Sequence, residues 1–367
     1  MKIALIVPGG VDRSGTQRVI PALLALIKRL ALRYELHVYA LHQEVKPDEW
    51  ALFGARIHNI GLGRTRVRTV QAIRTQHRIA PFALIQSFFS GSCGLIAVSA
   101  GRLLGIPSLI HVAGGELVAL KSIGYGGRLT WKGRVREWLV LRAATIVTAP
   151  SAPMVAALSD LGVPAQRLLL GIDREMWPSR LPAPRRLEDA ARLLHVGSLN
   201  PVKDQGTLLR AFALLVRDGA KVQLDIVGED TLHNQIQSEA QALQVADRVT
   251  FHGFLTQSEL RPVMEASHLL VMSSLHEAGP VVVLEAAMVG VPTVGTAVGH
   301  IAEWAPQAAL AAGVGDAAGI AAHIKALLAD DPRRVQLACE AQRLALQEDS
   351  EHTARRFEQL YATLGCS

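Results

Sequence analysis

Along this chain, short and uniformly apolar runs alternate with longer segments in which apolar positions recur at helical spacing. In the first half, residues 3–7, 36–40, 83–87, 108–112 and 145–148 read as buried strands, and 16–33, 65–79, 93–104 and 128–143 read as helices. In the second half, strands are predicted at 192–196, 222–227, 249–251, 269–272 and 292–295. Helices are predicted at 204–217, 231–244, 258–266, 281–289 and, last, 350–364. Regular alternation of this kind implies parallel sheets covered by helices on both faces, an α/β class of the doubly wound type. Segment 171–191 breaks the pattern: three prolines, mixed charge and no sustained period mark a linker. The chain's 367 residues exceed one ordinary core. Domains are therefore expected at 1–180 and 181–349, with 350–367 as a terminal helix. Ligands of doubly wound sheets bind outside the carboxyl ends of the strands, so the loops that follow strands are where chemistry is sought.

Composition changes the picture in two ways. Half of the residues are hydrophobic and 19% are charged, which excludes a disordered chain. The net charge of +6 is unevenly placed: residues 1–180 hold 23 Lys and Arg against 10 Asp and Glu, and residues 181–367 hold 15 against 22. Basic chains meet nucleic acid, anionic membranes or acidic substrates. Nucleic acid is set aside, because no reading motif is present. Arg64, Arg66, Arg68, Arg74 and Arg78 form one basic run, and Lys121, Arg128, Lys132, Arg134 and Arg136 another. The expectation is a face that meets an anionic membrane surface or an acidic glycan precursor. Cys93, Cys339 and Cys366 show neither metal nor disulfide spacing, which suits a reducing cytoplasm. The opening MKIALIVPGG reads as a first strand rather than a signal peptide. Residues 94–113, interrupted by Arg102 and Pro107, do not read as a membrane span. A cytoplasmic protein, peripheral on the inner face of the membrane, is expected.

Four sets of strand-following residues carry candidate chemistry. In Pro8–Arg18, glycines permit close backbone approach, and Ser14 is placed to cap a helix beginning near Thr16, whose free N–H groups suit an anion. Neither a G-x-G-x-x-G nor a Gly-Lys-Ser/Thr phosphate loop is present, and a glycine-rich turn ahead of a capped helix accounts for the same residues. In His195–Gly206, Gly197 frees the backbone at a strand end and Pro201 fits a helix start. Lys203 on the first helical turn opposes the helix dipole, a conflict that a bound polyphosphate reverses; a solvent-facing lysine is the alternative. In Ser273–Pro292, a glycine loop leads into a helix at Pro280 that is apolar except for Glu285. A carboxylate there costs several kcal/mol unless it is paired or hydrogen-bonded. Ribose hydroxyls are suitable donors. The Gly279–Val281 amides offer an anion-binding helix start, with Glu277 in the loop ahead. The alternative leaves Glu277 exposed and Glu285 bonded to a neighbouring backbone amide. The fourth set comprises Gly228-Glu229-Asp230, Phe251-His252-Gly253-Phe254, which could hold a base, and Gly299-His300-Ile301. Each also reads as an ordinary turn. In the first half, His111 is either an acid/base group at a strand end or a core histidine.

Taken together, HVGSLNPVKDQGTLLRAFALL, LDIVGED, RVTFHGFLTQSEL, HLLVMSSLHEAGPVVVLEAAMVGVPTV and VGHIAEW resemble the retaining GT-B glycosyltransferases of glycosyltransferase family 4, also called group 1. The likeness is close over about 192–305 and looser in the first half, through SGTQRVIPALLALIKRL and GIPSLIHVAGGEL. It implies two Rossmann-like doubly wound domains facing across a cleft, with the last helix crossing back to the first domain. It also implies a metal-independent, cofactor-free hexosyltransferase. The donor would be a nucleotide-diphosphate sugar, UDP- or GDP-linked. The acceptor would be lipid-linked or a glycan, in envelope polysaccharide or glycolipid synthesis. By the same resemblance, Lys203 binds the diphosphate, Glu285 the ribose, and Glu277 the sugar ring, with the amides of Ala278, Gly279, Pro280 and Val281 on sugar and phosphate. Phe251, His252, Gly253, Phe254 and Leu255 surround the base, Gly197, Ser198, Gly228 and Glu229 line the donor, and Gly15 and Thr16 close over the phosphates. Glu277, Lys203 and His111 are the implied catalytic residues.

Two positions depart from the family pattern: Ser198 stands where an arginine is usual, and Ala113 where a histidine is frequent. A sugar-nucleotide-binding protein without transferase activity, or a related GT-B phosphorylase or epimerase, are the other readings.

Overall fold

A computed structural model describes residues 1–185 and 190–365. Cys366 and part of the expected linker, residues 186–189, lie outside the described residues. The chain divides into two compact units, Met1–Asp173 with Glu348–Ser367, and Arg174–Gln347.

In the first unit the chain runs β1 (Lys2–Val7), α1 (Pro21–Leu30), β2 (Glu35–Ala40), β3 (Asp48–Leu52), β4 (Ala55–Asn59), α2 (Thr65–Ile79), β5 (Leu84–Phe88), α3 (Ser92–Leu104), β6 (Ser108–His111), α4 (Trp131–Ala143), β7 (Ile146–Ala149), α5 (Ala152–Asp160) and β8 (Gln166–Arg167). The sheet order is β3-β4-β2-β1-β5-β6-β7-β8. All neighbours are parallel except β3 against β4. β1 is buried along its whole length, as its unbroken apolar run requires in a sheet covered on both faces.

In the second unit the order along the chain is β9 (Ala191–Val196), α6 (Gln205–Arg217), β10 (Val222–Val227), α7 (Gln235–Ala242), β11 (Val249–Gly253), α8 (Gln257–Glu265), β12 (Leu269–Met272), α9 (Val281–Met288), β13 (Thr293–Thr296), α10 (Gly299–Trp304), β14 (Ala309–Ala312), α11 (Ala317–Ala329) and α12 (Asp331–Gln347). The sheet order is β11-β10-β9-β12-β13-β14, all parallel. The strand order reverses between β9 and β12. In the first unit it reverses between β1 and β5. These are the switch points at which open α/β sheets leave a crevice for a ligand.

The final helix, α13 (Ser350–Thr363), belongs to the first unit. Phe357, Leu360 and Tyr361 bury into the core around β1 and α1, and the Tyr361 hydroxyl donates to Gln86 on β5. Arg29 of α1 and Arg33, just beyond its end, pair with Glu351 and Glu358 of α13, at 2.6 and 2.5 Å. Residues 174–180, expected with the first domain, group with the second: Arg180 N–H donates to Met288 O, and Gln342 Nε2 donates to Arg180 O. The helix expected over 16–33 begins only at Pro21, because residues 11–20 close a loop through a Val11–Val19 bridge. The strands β3, β4, β8 and β14 and the helices α5, α10, α11 and α12 were not among the elements predicted from the pattern.

Candidate active site

The site is built on the loops after β9, β10, β11 and β12. After β9, Gly197 N–H donates to Val227 O, and Leu199 N–H donates to Glu229 O, both at 2.8 Å, tying this loop to the one after β10. Gly228 sits at φ +151°, and a Cβ there would lie 2.1 Å from Gly197 O, so only glycine lets the two loops meet. Asn200 Oδ1 accepts from Lys203 N–H at 3.2 Å. α6 begins one residue beyond Asp204, whose carboxylate accepts from Thr207 N–H as an N-cap. Lys203 therefore precedes the helix and does not lie on its first turn, the place expected from the sequence. Its methylenes lie over Gly197, where a Cβ would come within 3.2 Å of Lys203 Cε.

The loop after β12 is stitched to this one. Ser273 Oγ donates to Lys203 O at 2.8 Å, and Leu275 N–H donates to Val202 O at 2.8 Å. Lys203 Nζ then meets Glu277 Oε1 at 2.5 Å, and Ser274 Oγ donates to the same oxygen at 2.7 Å. Both partners are mostly shielded, with side-chain exposures of 21% and 13%. In such a setting each charge depends on the other, since removal of one strands its partner. α9 follows with Pro280 at its N-cap. Proline has no N–H, so among residues 278–281 only Ala278, Gly279 and Val281 carry one, which corrects the expected amide set. Gly299, at φ +53°, packs α10 onto this loop: a Cβ would lie 2.9 Å from Pro280 Cδ and 3.1 Å from Glu277 O.

Glu285 is buried on α9 and accepts from Gln257 Nε2 at 2.9 Å. Burial pushes its carboxyl up to about 7. Its partner is thus a side-chain amide opening α8, not the backbone amide considered as the alternative. His195 is fully buried beneath the β9 loop. Its Nδ1 lies 2.9 Å from Val271 O, so Nδ1 holds the proton and Nε2 accepts from Gln205 Nε2 at 3.3 Å. Burial lowers its pKa to about 4 and keeps the ring neutral. Gln205 Nε2 also donates to Ser198 O at 3.1 Å, so this pair fixes the Ser198 backbone. Gln257, His195, Gln205, Ser273 and Ser274 were absent from the predicted set. Their roles depend on contacts across up to 76 positions of sequence, which no local pattern encodes.

The proposed base loop needs correction. β11 runs to Gly253, and Phe251 packs against the core of the second unit, so it is a strand residue. His252 Nε2 lies 2.7 Å from Asp225 Oδ1, and Arg192 Nη2 lies 3.0 Å from Asp225 Oδ2, which commits His252 to an internal pair. Gly253 O accepts from Gly228 N–H at 2.8 Å. Leu255 is half-buried, and Phe254, 59% exposed, is the aromatic left open for stacking.

The remaining predicted residues lie in the first unit. Ser14 Oγ accepts from Thr16 and Gln17 N–H at 3.3 and 3.1 Å, a local turn rather than a helix cap, so Gly15 and Thr16 are not a helix start. His111 is fully buried. Phe88 and Phe357 pack edge-on against its ring, and Nδ1 lies 2.9 Å from Thr148 Oγ1. Burial alone lowers its pKa to about 3. It is a neutral core histidine, which removes it from the acid/base candidates. Two buried carboxyls lie beyond the same end of the sheet. Glu116 accepts from Ser90 and Gly114 N–H at 3.1 and 2.6 Å, and Glu137 accepts from Ser90 Oγ at 3.3 Å. Burial raises both, and Glu116 helps push Glu137 up to about 7. They line a cavity of about 300 Å³ with Phe89, Tyr125 and Arg136, beyond the ends of β5 and β6.

Comparison with known proteins follows this division. Residues 181–344 match the model of the glycosyl transferases group 1, and residues 14–170 match a glycosyl transferase 4-like domain. The glycogen synthase of Mycobacterium tuberculosis is 30% identical over 221 residues, 59% of this chain and 52% of that protein, so the chain spans about half the length of this relative. Among solved structures, sucrose-phosphate synthase from Thermosynechococcus elongatus superposes with a TM-score of 0.82 at 18% identity, covering 99% of both chains. The Anabaena protein HepE in complex with UDP-glucose gives 0.77 at 17% identity, over 99% of this chain and 100% of that one. The fold is that of the GT-B glycosyltransferases.

Proposed function

The chain belongs to the group 1 glycosyl transferases, and from that membership we propose a retaining transfer of a hexose from a nucleotide-diphosphate sugar to a lipid-linked or glycan acceptor. The observation that carries this reading is the Lys203–Glu277 pair, which joins the two loops flanking the β9/β12 switch point. A donor diphosphate placed there takes over from Glu277 as the counter-charge of Lys203. Glu277, held by Ser274, turns to the sugar ring. The ribose hydroxyls reach Glu285 from the start of α9. A protein of the same fold, Anabaena HepE, holds UDP-glucose, which supports a sugar nucleotide as the ligand.

Breaking the bond from the anomeric carbon to the phosphate oxygen leaves positive charge on the sugar and negative charge on the nucleotide diphosphate. Lys203 and the N–H groups of Gly279 and Val281 stabilise the leaving group. The acceptor hydroxyl attacks from the same face, forming the new carbon–oxygen bond, and its proton passes to the departing phosphate. This charge arrangement assigns no step to a metal, so chelation should leave the rate unchanged. A buried carboxyl pair, Glu116 and Glu137, beyond the β5 and β6 ends offers hydrogen-bond acceptors for acceptor hydroxyls in the first unit.

The test is transfer from UDP-, GDP- and ADP-linked hexoses to lipid and glycan acceptors. Lys203→Ala and Glu285→Ala should each lose transfer by about 100-fold while keeping the fold. Turnover like that of the unmodified chain in either variant would remove the residue from the site. Ser198, in place of the family's usual arginine, favours one second reading, a protein that binds the sugar nucleotide without transferring it. Donor binding with neither hydrolysis nor transfer would establish that reading.

A further inference from the structure

A separate surface of the first unit has features that the donor chemistry does not use. α4 begins at Trp131, capped by Thr130, whose Oγ1 accepts from Gly133 N–H at 3.0 Å. Its buried face consists of Gly133, Glu137, Val140 and Leu141. Positions 131, 135, 138 and 142 recur at helical spacing on the opposite side. Trp131 is 64% exposed, Val135 47% and Trp138 49%, with Leu139 at 52% beside them. Large apolar side chains scattered singly over a surface need no explanation, but a stripe of them along one helix does.

The charge around the stripe has one sign. Residues 121–143 hold six basic residues and a single acid, Glu137, which is buried. Lys132 and Arg142 lie over the rings of Trp131 and Trp138, at 5.8 and 5.2 Å from the ring centres. A cavity of about 240 Å³ opens beside the stripe. Val135, Trp138, Leu141 and Val163 wall it, and Arg128 and Arg134 line it as well. Apolar floor and guanidinium edge therefore occur in one place. The other basic run, on α2, carries its arginines without an aromatic residue, so charge alone does not single out a docking face there.

We propose that the α4 face, through Trp131, Val135, Trp138 and Leu139 ringed by Arg128, Lys132, Arg134 and Arg142, docks this chain onto the surface of an anionic lipid bilayer. A bilayer interface supplies both halves of the match. Headgroup phosphates attract the basic side chains, and the boundary between headgroups and acyl chains accepts tryptophan rings with their N–H groups still hydrated. A soluble polyanion without aromatic rings, such as heparin, satisfies the charges but leaves the two tryptophans facing water. Docking concerns where the enzyme works and stands independently of the donor assignment, since no α4 surface residue belongs to the Lys203–Glu277 site.

The experiment is sedimentation of the full chain with phosphatidylcholine vesicles, with and without phosphatidylglycerol, together with tryptophan fluorescence. The unmodified chain should bind the phosphatidylglycerol vesicles at least about tenfold more tightly, with a blue shift in emission. The double variant Trp131→Ser/Trp138→Ser should lose about tenfold in binding and most of the shift, and Arg128→Gln/Arg134→Gln should lose a similar factor. Both should keep the unfolding midpoint and the sugar-nucleotide affinity of the unmodified chain. Failure of the unmodified chain to bind anionic vesicles at low salt overturns the proposal. Equal binding by the tryptophan variant overturns it as well, because charge alone then draws the chain, as it would to any polyanion such as heparin. Loss of sugar-nucleotide binding by the unmodified chain would instead count against the donor site and leave the docking result readable.

Discussion

At the residue scale, buried ionisable groups decide most of the chemistry. Glu137 has an ordinary unfolded value of 4.5 and a folded value of about 7. The folded state therefore binds more protons than the unfolded state between those limits, and stability falls as pH rises through them. Glu137→Gln should remove its share of that loss, on the order of 2 kcal/mol, so that the denaturation midpoint falls less steeply between pH 5 and pH 8, with buried Glu285 still contributing in the same range. A midpoint that declines as steeply in the variant would show that Glu137 is not the titrating group. His111 has the opposite sign. Its depressed value adds stability above the ordinary range of histidine, lost as the pH falls toward about 3. Since its ring sits between Phe88 and Phe357, His111→Gln should lower stability yet keep turnover of the folded enzyme within a few fold. A loss of turnover in stably folded His111→Gln would restore the catalytic role that the structure removes.

Among the elements, Gly228 holds the frame of the Lys203 site, and α13 closes the core of the first unit. Gly228→Ala would drive a methyl group into Gly197 O and part the β9 and β10 loops, at a cost of about 2 kcal/mol and a clear loss of donor affinity. Binding and stability like those of the unmodified chain would show that the loops close without this contact. α13 covers β1 and α1 in the first unit, so Phe357→Ala should cost about 3–5 kcal/mol, seen as faster hydrogen exchange in β1 and β5. Much of this level was legible in the sequence. The apolar runs at 222–227 and 269–272 coincide with β10 and β12, and Glu285 stood out as the single acid in an apolar helix. Among what escaped, two kinds have a plain physical reason. Short or partly exposed elements such as β3 and α10 carry too few periodic positions to register. Partners such as Gln257 for Glu285 arrive through tertiary folding alone. Lys203 lies ahead of the Asp204 cap and not on the expected first turn, because Asp204, bonded to Thr207, and not the Pro201 region, starts the helix.

For the whole molecule, the structural units sharpen the charge asymmetry. Met1–Asp173 with Glu348–Ser367 holds 23 basic and 13 acidic residues, a balance of +10, and Arg174–Gln347 holds 15 and 19, a balance of −4. One unit presents the partly shielded Lys203–Glu277 pair, and the other presents the basic, tryptophan-bearing surface. The central claim is that the β9/β12 switch point binds a nucleotide-diphosphate sugar through Lys203. The direct measurement is calorimetric titration of UDP-, GDP- and ADP-linked hexoses into the unmodified chain and into Lys203→Ala. The account predicts saturable binding of at least one donor, at least about tenfold weaker in the variant, whose thermal midpoint without ligand stays near that of the unmodified chain. Equal donor affinity in the two proteins would contradict it.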